Sequence, residues 1–155
     1  MAVVITLIIL TYLCFSVWVS KGIPISISNT YYLLGNKGWI FQVFLCLLAV
    51  LLYIVWFPLV SEYYQYFPFL CCSSLLFVAS APCFKEELQG NVHYSSAIIS
   101  CVCDVLWQVL EGLWDVTLWF GVIGFMLTLM NKSKWCWWLE CSVIGSLIFN
   151  LLRLI

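Results

Sequence analysis

His93, Ser96, Ser100, Asp104, Gln108 and Glu111 recur at intervals of three and four residues, the spacing that stacks side chains on one face of an α-helix. At about 100° per residue they fall within an arc of roughly 120°, while Ile98, Ile99, Val102, Val105, Leu106, Val109 and Leu110 cover the other side. In an apolar setting such a face suits two chemistries. One is a polar track for protons, cations or a ligand headgroup; the other is a hydrogen-bonded seam that holds helices together. Both turn on Asp104, because an ionised carboxylate in lipid is costly unless paired, hydrated or protonated. It is therefore expected to face the interior of a helix bundle.

Ser142, Ser146, Asn150 and Arg153, with Gly145 beside them, form a second face at helical spacing. This face offers partners to the first, and Arg153 can meet Glu111 or Asp115 at a shared rim. Glu140 lies on a different face of the same segment and either approaches His93 or reaches toward lipid headgroups. The stretch Pro24 to Tyr32, which contains Ser26, Ser28, Asn29, Tyr31 and Tyr32, and the stretch ending at His93 and Tyr94 are loops expected on the same side. Together they read either as one polar mouth or as interfacial anchors and helix caps.

Enzymatic readings are weak. An intramembrane zinc hydrolase needs several histidines and this chain has one, so no metal site is expected. Cys101-x-Cys103 and Cys71-Cys72 lack the spacer of a redox pair, and neither a phosphate-binding loop nor a nucleophile elbow is present, so no cofactor is expected either. His93, Ser28 and Glu140 are the candidates for acid/base or nucleophilic work, should the fold unite them.

The elements that position these groups follow from composition. The chain has 155 residues, 65% hydrophobic and 8% charged, against about a quarter charged in a soluble domain. It reads as all-α, a single transmembrane domain over residues 1–155. A spanning helix needs about 20 residues and at least roughly 17. That ruler places helices at Val3 to Val19, Trp39 to Val60, Tyr64 to Pro82, Tyr94 to Leu110, Leu113 to Met130 and Trp135 to Leu152. The fourth and fifth are separated only by Glu111-Gly112-Leu113-Trp114-Asp115, where a glycine between two carboxylates predicts a tight helical hairpin. The apolar first segment lacks the basic leader of a signal peptide and reads as a retained helix.

Charge distribution orients the bundle. Lys21, Lys37, Lys85, Lys132 and Lys134 all fall in the first, third and fifth loops, whereas Glu62, Glu111 and Asp115 mark the second and fourth. Lysines favour the cytoplasmic side, so six spans with both termini non-cytoplasmic satisfy all five; Arg153 alone dissents. Five spans, the alternative, split the lysines between two faces. A net charge of −1 without a basic patch leaves no electrostatic footprint for nucleic acid. The nine cysteines are an odd number within apolar runs and read as packing residues.

Ser26-Ile27-Ser28-x-x-Tyr31-Tyr32, His93-Tyr94-x-Ser96-Ala97 and Trp138-Leu139-Glu140 are similar in order and spacing to small bacterial six-helix membrane proteins of a domain-of-unknown-function family, distantly DRAM-like. The resemblance extends over most of the chain from Ile25 onward. It implies a six-helix bundle with a polar cluster around Ser28, Tyr31, His93 and Glu140, and it implies no reaction. The short link between the fourth and fifth helices departs from that pattern.

The sequence thus supports a multi-pass protein with an intramembrane polar pathway or a ligand or lipid pocket, channel- or transport-like. Six short helices enclose little volume, so a homo-oligomer suits it. The alternatives are a lipid-binding or lipid-modifying enzyme with its site on the cytoplasmic side, and a structural subunit of a larger membrane complex. Membrane lipids are the expected partners in each case.

Overall fold

The computed structural model describes residues 1–84 and 86–155, with the backbone alone for Glu86 and Glu87. Lys85, one of the five lysines that orient the sequence reading, lies outside the described residues. The described chain is 86% helical, without strands. Its α-helices are α1 (Ala2–Val19), α2 (Asn29–Leu33), α3 (Trp39–Trp56), α4 (Tyr66–Ser80), α5 (Glu86–Leu110), α6 (Trp114–Met130) and α7 (Trp135–Leu154). Counting the short 3-10 turns that extend some of them, five are long and apolar enough to cross a membrane, while α6, apolar too, is shorter at 17 residues.

Local chemistry accounts for most boundaries. Pro58 and Pro82 lie in the 3-10 turns that follow α3 and α4, since proline has no N–H to continue an α-helical ladder. Helix α5 starts well before the expected Tyr94. Glu86-Glu87-Leu88-Gln89 is a run of good helix formers that a hydropathy ruler passes over. Helix α2 occupies a stretch expected to be loop. Its first turn is closed by Ser26, whose Oγ accepts the Asn29 N–H at 3.1 Å.

Successive long helices reverse direction: bonds of Ile27 to Glu140 at one end and of Ser61 to Glu111 and Arg153 to Asp115 at the other put Lys21, Lys37, Lys132 and Lys134 at the first end and the chain termini at the second. Helices α1, α3, α4, α5 and α7 form the bundle. Helix α6 departs from the expected hairpin. The chain does turn at Gly112, whose φ of 76° suits glycine, but α6 then packs chiefly along α7 and meets α5 only sparingly. The reason is close approach. Gly124 lies against Ser142 and Gly145 against the Phe120 ring, so small residues bring the α6 and α7 backbones together. A groove lined by Val105, Val109, Leu118, Val122 and Ser146 separates α5 from α6.

Two apolar clusters make the core. One contains Ile5, Ile9, Tyr12, Phe41, Leu45, Leu48 and Trp137; Tyr12 stacks on Phe44 with ring centroids 3.7 Å apart. The other contains Leu52, Trp56, Phe67, Cys71, Cys103, Trp107, Leu147 and Leu151. The outer surface is apolar too, with Leu7, Leu47, Phe77, Ile98, Leu118 and Phe125 all exposed.

Candidate functional site

A cavity of about 130 Å³ lies between α1, α3, α4, α5 and α7. A single water needs roughly 10–15 Å³, so the space has room for several waters or for part of a ligand. Its walls are mostly apolar, with Phe41, Phe44, Leu48, Leu75, Val78 and Ile144 among them, and Tyr12 adds a buried hydroxyl without a protein partner. Polar groups occur at two levels. Ser28, His93 and Glu140 line one end; Ser100 and Asp104 lie further along α5. His93 and Asp104 are eleven residues apart, about 16 Å along a helix axis.

Asp104 is 2% exposed. Its Oδ1 accepts a hydrogen bond from Gln108 Nε2 at 2.8 Å, and its Oδ2 is buried without a protein partner. Ser100 sits one turn earlier, its Oγ 3.2 Å from Cys71 Sγ. Past Asp104 the lining stops. Trp56 and Trp107, both fully buried, meet there edge to face with centroids 4.8 Å apart; Leu52, one turn before Trp56, is the last α3 residue on the cavity.

The polar face of α5 therefore divides into separate roles. Gln108 is the hub of a buried network: its Oε1 accepts from Thr117 Oγ1 at 2.6 Å and from Asn150 Nδ2 at 2.8 Å, tying α5 to α6 and α7. Glu111 lies at the end of the helix. Its Oε1 accepts from the backbone N–H and the hydroxyl of Ser61, at 3.1 and 2.8 Å. Ser96 is buried but does not line the cavity. Arg153 meets Asp115, with Nη1 at 2.8 Å from Oδ2, and this exposed pair closes the rim between α6 and α7. Ser146 bonds within its own helix, to the Val143 carbonyl.

At the opposite end the first loop folds over the start of α7. Glu140 Oε2 accepts the Ile27 N–H at 2.6 Å, and Cys136 Sγ lies 3.6 Å from Oε1. Glu140 thus neither bonds His93 nor extends outward, because a backbone amide of the loop claims its carboxylate. Ser28 Oγ is 3.0 Å from Ser26 Oγ, and no hydrogen bond joins Ser28 to His93 among the described residues. Asn29 begins α2. Tyr31 packs its ring on Phe41, and the exposed Tyr32 takes a bond from Gln89 at 3.3 Å. Of the loop residues only Ile27 and Ser28 reach the cavity.

Three features carried no sequence signal. The Ile27 amide is a backbone group that any residue supplies. Thr30 Oγ1 donates to Ser16 Oγ at 3.1 Å, pinning α2 to α1, and Gln42 donates to the Ala79 carbonyl at 3.0 Å, pinning α3 to α4. Thr30 is one of several polar residues in its stretch and nothing singles it out, whereas Gln42 is a single polar residue in an apolar run, which leaves its partner open. No group of three His, Cys, Asp or Glu among the described residues is placed to hold a metal ion. Compared with protein-family models, curated proteins and solved structures, the chain matches none.

Proposed function

We propose that this chain is a multi-pass membrane protein of six spans, both termini non-cytoplasmic, that holds a hydrophobic ligand in a pocket between its helices. The lysine-rich end faces the cytoplasm by the positive-inside rule. Helix α6, at 17 residues, meets the lower length limit for a span. Its apolar exposed surface suits lipid.

The observation that carries the pocket is Asp104: buried, on the wall of a mostly apolar cavity, with one oxygen lacking a protein partner. An acid in such a place is a functional feature by default. A pocket has more support than a continuous conduit. Beyond Asp104 the tryptophan pair and the Gln108 network fill the path that an ion would take. The polar face of α5 combines both sequence readings, a seam in the half that contains Gln108 and a binding wall in the half that contains Asp104.

A lipid-modifying reaction has less support. Ser28, His93 and Glu140 share one end of the cavity, yet Glu140 is engaged by Ile27 and no Ser28–His93 bond activates a nucleophile.

The test is extraction of the purified protein followed by mass spectrometry of the organic phase. About one hydrophobic molecule per chain, enriched over bulk lipid and lost in the cavity-filling variant Ala97→Phe, is expected. A lipid profile identical to the bulk membrane in both proteins would reject the pocket.

A further inference from the structure

The pocket proposed above selects for charge as well as apolarity. We infer that its ligand is an unbranched long-chain amine, bound with the ammonium group at Asp104 and the hydrocarbon chain running along α5 toward His93. The inference rests on the pocket reading and adds the chemical class of what fills it.

The shape sets the chain. On α5 the lining extends from His93 to Asp104, about 16 Å along the helix axis, within a volume of about 130 Å³, which suits one extended chain better than a ring system. Its walls along that length include Phe44, Leu48, Leu75, Ala97 and Ile144, which give contact without polar demand.

The polar groups set the head. A methyl-terminated chain reaching the deep end would leave Asp104 Oδ2 against hydrocarbon, an acceptor buried without a donor. A ligand that brings a hydrogen-bond donor to that point satisfies this oxygen. Among the residues lining the cavity none is Lys or Arg, and His93 lies at the opposite level. Arg153 is engaged by Asp115 at the rim. An ammonium supplies the donor together with a countercharge that holds the carboxylate ionised, and charge-assisted hydrogen bonds are the stronger kind. A hydroxyl supplies only the donor. A carboxylate brings a second negative charge and is repelled.

Glu140, at the other end of the cavity, has less to offer the head than Asp104. Both of its oxygens are engaged, Oε2 by the Ile27 amide and Oε1 by the Cys136 thiol.

Binding of dodecylamine, dodecanol and dodecanoic acid to the protein in zwitterionic nanodiscs, with empty discs as the blank, tests this. The amine is expected to bind at least about tenfold tighter than the alcohol, equivalent to ~1.4 kcal/mol, and the acid not measurably. Asp104→Asn should bring the amine down to the level of the alcohol, and Ala97→Phe should weaken both. The wild-type ranking stands as a test even if Asp104→Asn fails to fold. Acid binding as tight as amine, or amine affinity unchanged in Asp104→Asn, would overturn the inference while leaving the pocket intact. Failure of all three probes, with another hydrophobic molecule copurifying, would overturn the amine alone; failure with nothing copurifying would overturn the pocket as well.

Discussion

The carboxylate of Glu140 accepts the backbone N–H of Ile27 at 2.6 Å, joining residues 113 positions apart in the chain. One helical turn earlier the exchange runs the other way, as the Trp137 N–H donates to the Ile25 carbonyl at 3.0 Å. Trp137 lies in the first turn of α7, where amides have no partner within the helix. The two bonds fix the first loop across the end of the bundle and make Ile27 and Ser28 part of the cavity wall.

Glu140→Ala is therefore expected to release this loop. The loss in stability should be about 1.5–3 kcal/mol, the range for hydrogen bonds to charged groups. Glu140→Gln keeps an acceptor and should lose less. Hydrogen exchange resolves the two outcomes, because protection of the Ile27 amide should vanish in the alanine variant and persist partly in the glutamine variant.

Gln108→Leu should be among the most damaging polar substitutions in the chain. It strips the partner from Asp104 Oδ1 and removes the shorter of two bonds from Thr117 Oγ1 and from Asn150 Nδ2, which keep the Leu113 carbonyl at 3.2 and 3.4 Å. The orphaned Asp104 oxygen costs about 1–3 kcal/mol and each lost bond about 0.5–1.5 kcal/mol, softened because other partners are found within a membrane; a total of roughly 2–4 kcal/mol follows. Ser96→Ala, which breaks no comparable bond, should stay within about 1 kcal/mol. Reversible unfolding in mixed micelles measures both.

Much of the scaffold was legible in the sequence because lipid-sized apolar runs leave a strong signal. The five long helices and the shorter α6 occur near where hydropathy and proline positions place them, with ends shifted by local propensity, most of all at the start of α5. The polar face of α5 was legible from its spacing. How that face divides was not, since periodicity gives direction around a helix and says nothing of which neighbour fills the space. Asp104 meets a cavity and Gln108 meets Asn150 only because α7 crosses at that height. The docking of Ile27 on Glu140 was hidden for another reason, as backbone amides carry no residue-type signature. The course of α6 was misread because Gly112 marked a turn, whereas the small residues that set its packing, Gly124, Ser142 and Gly145, lie on α6 and α7.

Trp56→Ala should open the cavity toward the end where the chain termini lie. Filling the site with alanine removes the ring that meets Trp107 at 4.8 Å and should cost about 3 kcal/mol, the low end for such truncations, since lipid rather than water is the reference solvent. Cys71, buried beside Ser100, should then react with a water-soluble maleimide added on that side. Peptide mapping should find it unmodified in the wild-type protein under the same conditions.

Six spans put both termini on the same side, and five put them on opposite sides. Reporter fusions at Met1 and Ile155 should both score as non-cytoplasmic, with a third inserted between Lys132 and Lys134 scoring as cytoplasmic. Termini on opposite sides would leave α6 as a helix that does not cross.

The most direct measurement of the central claim is an experimental density map of the protein in lipid nanodiscs. Continuous elongated density within the bundle, running beside α5 from the level of His93 and ending within hydrogen-bond distance of Asp104 Oδ2, is the predicted result. A file of waters passing between Trp56 and Trp107, or side chains collapsed so that Asp104 borders no space at all, would contradict it.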